Sequence, residues 1–196
     1  WDELADQGGE RMVKLAAAVK AVAERAVRER FWESVSKLLE SNGVRVFDGE
    51  VPDDTIGAFY YLGMADISAD TVDLSEAETF IENLATLLRN ARAIPMYSIG
   101  EVAEIIRKMN IEKMDSRADL EFASSVLAQL DRRAAKIFVE SDVGEEVVEA
   151  ILRARKEGVD EEKIVEAVNE VLLEAYRGSI AGKEEVAQYL EKRLFS

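Results

Sequence analysis

The chain contains no cysteine and no histidine in 196 residues. Without cysteine there is no disulfide, no thiolate nucleophile and no iron–sulfur ligation. Without histidine the usual zinc ligand sets, the imidazole general base and the Ser-His-Asp triad are excluded as well. Proline occurs only at positions 52 and 95, so few backbone positions are barred from helix. Asparagine and glutamine are scarce, five and three against 27 glutamates. That balance is expected of a heat-adapted chain, and a computationally generated sequence would share it.

No apolar run approaches the ~18 residues that a membrane span needs. The alanine-rich stretch MVKLAAAVKAVA is interrupted by Lys14 and Lys20 and reads as an amphipathic helix. Forty acids against 25 bases give a net charge of −15. Phosphate contacts need clustered Lys and Arg, so this balance argues against a nucleic-acid-binding face and against an anionic membrane surface. A reducing compartment suits a chain without cysteine, and the expectation is a soluble, cytoplasmic protein. Oligomeric state is left open.

With 48% apolar and 33% charged residues, the composition is that of a globular chain with a real core. Glu10 to Glu40 predicts one long N-terminal helix, because Met12, Ala16, Val19, Ala23, Val27, Phe31, Val35 and Leu38 recur at three- and four-residue steps. Asn42-Gly43 ends it. The segment 44–51, VRVFDGEV, turns at Asp48-Gly49 and predicts a tiny β-hairpin. Further helices are predicted from Asp53 or Asp54, from the capping box Ser75/Glu78, from the capping box Ser98/Glu101, from Ser116 through Ile137, from Ser141 or Asp142 to Gly158, from Asp160 to Gly178, and from Lys183 to Phe195. The fold class is therefore all-α, a multi-helix bundle of about eight helices. One domain over 1–196 is expected, with 1–95 and 96–196 as sub-lobes.

The most informative absence is local. Between Arg45 and Arg89 there is no basic side chain, while Asp48, Glu50, Asp53, Asp54, Asp66, Asp70, Asp73, Glu76, Glu78 and Glu82 fall in the same span. Helix capping accounts for some of these acids. It does not account for the missing Lys and Arg, since a solvated face normally mixes signs.

Two functional readings follow. Asp66, Ser68 and Asp70 place oxygen ligands at alternate positions, as in a calcium loop, and Asp73 extends the set. Thr71 stands where such a loop wants glycine, so only half the pattern is met. The other reading is an acidic surface for a basic protein partner. Phe59, Tyr60 and Tyr61 are consecutive, and a helix cannot bury all three on one stripe. Tyr60 and Tyr61 are then the anchors, with Asp53 and Asp54 beside them.

Glu162, Glu166, Glu170 and Glu174 form a second acidic row. Its expected role is a solvated outer face, partly neutralised by Arg153, Arg155 and Lys156 on the preceding helix. Ser124 and Ser125 have no visible activating base, and no glycine-rich phosphate loop occurs.

The reading that results is a non-catalytic acidic helical domain that engages a basic protein partner through residues 48–82. The alternatives are a calcium- or magnesium-binding protein, a carboxylate-dependent magnesium enzyme, and a mimic of DNA charge.

Overall fold

A computed structural model of the chain describes residues 25–45, 75–92, 97–110, 114 and 116–196. Eight helices and one two-stranded sheet occur among the described residues. They are α1 (Arg25–Ser41), β1 (Val44–Arg45), α2 (Ser75–Ala91), β2 (Tyr97–Ser98), α3 (Ile99–Met109), α4 (Arg117–Ala128), α5 (Arg132–Glu140), α6 (Gly144–Lys156), α7 (Glu161–Tyr176) and α8 (Gly182–Phe195). The protein is mostly helical, as the 3.6-residue periodicity requires. Among the described residues no helix is long and apolar enough to cross a membrane.

The helix starts follow from local chemistry. Ser98 caps α3 by accepting the Glu101 backbone N–H at 3.3 Å, and its hydroxyl lies 3.5 Å from the Glu101 carboxylate. The serine half of the capping box is thus formed. Ser116 accepts the Asp119 N–H at 3.2 Å and opens α4. At the other ends, Gly43, Gly158 and Gly178 follow helices with φ between +78° and +84°, the left-handed conformation that a side chain would strain.

Apolar stripes pack these helices into a single core cluster. Phe80, Ile81, Leu84, Leu87 and Leu88 of α2 are all buried, and α2 packs on α4 and α5. On the other side α5 packs on α7, which packs on α8, and α8 returns to α6. Val102, Ile105, Ile106 and Met109 bury the inner face of α3 against α6. In α1 the stripe falls slightly off its expected line, with Val35 and Leu39 buried and Leu38 only partly so.

The structure revises two expectations and covers only part of another. The long N-terminal helix is described only as α1, and its predicted first half lies outside the described residues. Val44–Arg45 does form a strand, but it pairs in parallel with Tyr97–Ser98. The return strand of the expected hairpin, at 50–51, lies outside the described residues. What holds the distant strand in place is Tyr97, which is fully buried and donates its hydroxyl to the Ala85 carbonyl of α2 at 2.8 Å.

The second revision concerns the single helix expected from Ser116 through Ile137, which is two helices. The chain breaks over 129–131, and Asp131 becomes a new N-cap, accepting the Arg133 N–H at 2.9 Å. The apolar spacing of Leu127, Leu130 and Ala134 runs through the break and conceals it. Two asparagines stabilise the link. Asn90 donates to the Ala128 and Leu130 carbonyls, each at 3.1 Å. Asn169 accepts the Asp131 N–H at 2.7 Å.

Candidate functional site

Only the C-terminal end of the acid-rich segment falls among the described residues. Asp53, Asp54, Tyr60, Tyr61, Asp66, Ser68, Asp70 and Asp73 lie outside them. The start of α2 is described, and its outer face carries Glu78, Thr79 and Glu82, all exposed. Phe80 and Ile81 point inward between them, so the two glutamates share one solvent-facing side, four residues apart. Among the described residues neither carboxylate makes an ion pair or side-chain hydrogen bond.

Some acids elsewhere are paired, while Glu149, Glu162 and Glu166 are, like Glu78 and Glu82, exposed and without an ion pair among the described residues. Arg155 holds Asp119 at 2.5 Å, Arg153 holds Glu191 at 2.5 Å, and Arg92 lies 3.4 Å from Glu101. Arg193 of α8 grips both Glu170 and Glu174 of α7, the latter at 2.9 Å. This corrects the expected neutralisation of the α7 row. Arg153 and Arg155 turn instead toward Glu191 and Asp119, because their own helix presents them to α8 and α4 rather than to the outer side of α7. Among the described residues no group of three or more acids is arranged to hold a metal ion.

The serines are structural in their contacts. Ser124 is buried, donates to the Glu121 carbonyl at 3.0 Å and accepts from Asn83 at 3.3 Å. Ser125 donates to the Glu161 carboxylate at 2.9 Å and so links α4 to α7.

Two cavities, among others, are lined by described residues. One, of about 320 Å³, has an apolar floor of Met109, Met114, Val148 and Leu152 under a rim that includes Glu149 and Arg153. The other, of about 440 Å³, lies where the end of α2 meets α5 and the end of α7. Its walls are Ala91, Arg92, Arg132, Arg133, Lys136, Glu140 and Tyr176. Four cations therefore converge on one cleft in a chain of net charge −15. Sequence reasoning misses this cleft, since Arg92 stands 40 residues before Arg132 and only the packing of α2 on α5 brings them together.

Within the cleft Arg133 donates its Nε to Asp131 at 3.2 Å. The Asp131 carboxyl is held below the usual carboxylate range, chiefly by the backbone hydrogen bond from Arg133 and then by the guanidinium itself. Arg132 and Lys136 make no ion pair among the described residues. Tyr176 is 47% exposed, the one large exposed hydrophobic side chain among the described residues.

The chain matches no known family model, no curated protein and no solved structure. Its functional reading rests on its own residues.

Proposed function

We propose that the protein is a non-catalytic acidic helical domain that engages a basic protein partner through residues 48–82. The observation that carries this reading is the 43-residue stretch with no Lys or Arg, from Val46 to Leu88, near whose end Glu78 and Glu82 stand on the outer face of α2 without an ion pair among the described residues. Some carboxylates elsewhere are drawn into pairs by Arg92, Arg153, Arg155 and Arg193. Leaving one face uncompensated costs self-repulsion. The same uncompensated field steers a cationic partner and fixes its register. Tyr60 and Tyr61 would supply apolar area within the charged ring.

Zero-length carbodiimide crosslinking tests the proposal, because it joins a carboxylate only to an amine in contact with it. The expected result is crosslinks from Asp53, Asp54, Glu78 or Glu82 to lysines of one co-purifying protein. Crosslinks confined to the α7 and α8 acids would contradict it.

A further inference from the structure

We propose that the cleft between α2, α5 and α7 binds a phosphorylated small molecule carrying a flat ring, with Arg132 and Lys136 holding the phosphate and Tyr176 lying against the ring. This site is independent of the acidic segment and has the opposite charge preference.

The first argument is convergence. Arg132, Lys136 and Glu140 follow one another at four-residue steps on α5 and line the same cavity, as one helix face requires. Arg133 adds a second guanidinium from the same turn, and Arg92 arrives from the end of α2. In a protein with 15 more acids than bases, four cations around one cavity of about 440 Å³ are not a consequence of composition. The volume lies within the ~300–1,000 Å³ span of small-molecule sites.

The second argument is that the pairing is incomplete. Asp131 answers Arg133 and Glu101 answers Arg92, but Arg132 and Lys136 have no acid among the described residues. Arg92, paired with Glu101 through Nη1, keeps one donor unused, since its Nε is buried and makes no hydrogen bond among the described residues. Turning that guanidinium onto a ligand oxyanion sacrifices no bond at Nε. Guanidinium and ammonium groups match phosphate through charge-assisted hydrogen bonds.

The third argument is that Asp131, the cap, is the one acid at the start of α5, whose first turn holds two guanidiniums. Helices α3, α4, α6, α7 and α8 carry acids in their first turn, where the helix dipole favours them. The first turn of α5 has none and begins Arg132-Arg133. Cations at that end are unfavourable for the helix alone, and departures of this kind concentrate at functional sites. The Asp131 side chain already occupies the N-terminal amide of Arg133, so the phosphate is held by side chains rather than by the backbone.

Tyr176 and Glu140 define the rest of the ligand. Tyr176 exposes its ring at the cleft, and an exposed aromatic face accepts any flat ring by stacking. Glu140 lies about two turns along α5 from Arg132. It disfavours a ligand that is anionic along its whole length and suits one with hydroxyl or amino donors away from the phosphate. Anionic at one end and neutral, flat and donor-bearing at the other describes a nucleoside diphosphate.

Isothermal titration of the full chain in about 0.1 M salt with ADP, inorganic pyrophosphate and adenosine tests this. ADP is expected to bind tightest, roughly tenfold better than pyrophosphate because stacking adds to charge. Arg132→Gln/Lys136→Gln should weaken ADP at least about tenfold, and Tyr176→Ala should bring ADP down to the level of pyrophosphate. All three residues are exposed, so the variants should fold, which circular dichroism verifies. Lys183→Ala, at an exposed position of α8, should change nothing. Absence of ADP and pyrophosphate binding overturns the proposal. So does equal binding by parent and Arg132→Gln/Lys136→Gln, or an equal loss in Lys183→Ala.

Discussion

Gly144 lies directly against the backbone of Lys108. A Cβ built on Gly144 would stand 2.8 Å from the Lys108 carbonyl oxygen and 3.0 Å from its Cβ. This close approach of α6 to α3 positions Lys108, whose Nζ donates to the Val139 carbonyl and, at 3.2 Å, to that of Ser141. An ammonium group thus satisfies carbonyls at the C-terminal end of α5, where the helix dipole favours a cation. Gly144→Ala forces backbone to move rather than a flexible side chain. The expected loss is about 1–3 kcal/mol in denaturant unfolding, although alanine is the better helix former.

Asn90 bridges the ends of α4 and the link to α5. Replacing it by alanine leaves the Ala128 and Leu130 carbonyls without their side-chain donor. Asn90→Ala should cost about 1–3 kcal/mol, with amide exchange accelerating first over 129–131. Uniform acceleration across all helices would show that the link has no independent role.

Tyr97 predicts an alkaline sensitivity. Burial raises its phenol above the ordinary value, Arg89 acts in the opposite sense, and Glu101 raises it further. The folded state therefore prefers the protonated form. Its contribution is fully present below the unfolded value of about 10 and is lost as pH rises through the higher folded value. Tyr97→Phe should cost about 0.5–1.5 kcal/mol at neutral pH and flatten that alkaline decline. An unchanged decline in the variant would place its origin elsewhere.

These contacts separate what could be read in the sequence from what could not. Helix starts at Ser98 and Ser116 and stops at Gly43, Gly158 and Gly178 are local signals, carried by residues that touch their own neighbours in sequence. The buried stripes of α2, α3 and α7 follow from period alone. The break at 129–131 escaped because Leu127, Leu130 and Ala134 keep a helical spacing across it. Asp131 was the available signal, being a strong N-cap residue, and its partner Asn169 lies 38 residues away. The pairing of Val44 with Tyr97 has no local signature either. The basic cleft is the clearest case, since net charge averages over the chain whereas a ligand meets only the side chains that packing brings together.

Metal dependence separates the partner reading from the cation reading. A ligand that binds only the folded state raises its melting temperature by mass action. The account expects the same melting temperature in EDTA, in millimolar magnesium and in millimolar calcium. A calcium-induced rise that disappears in Asp66→Ala/Asp70→Ala would make those residues a cation site and displace the docking role.

The most direct test of the central claim is salt-dependent capture of basic proteins on the immobilised chain, comparing the parent with Glu78→Lys/Glu82→Lys and Asp53→Lys/Asp54→Lys. The account predicts that the parent retains a basic protein at about 0.1 M salt and releases it toward about 1 M, as the Debye length falls from ~10 to ~3 Å. Each charge-reversed variant should lose most of that capture while keeping the parent's helical circular dichroism. Capture that persists in both variants, or that ignores salt, would contradict an acidic docking surface over residues 48–82.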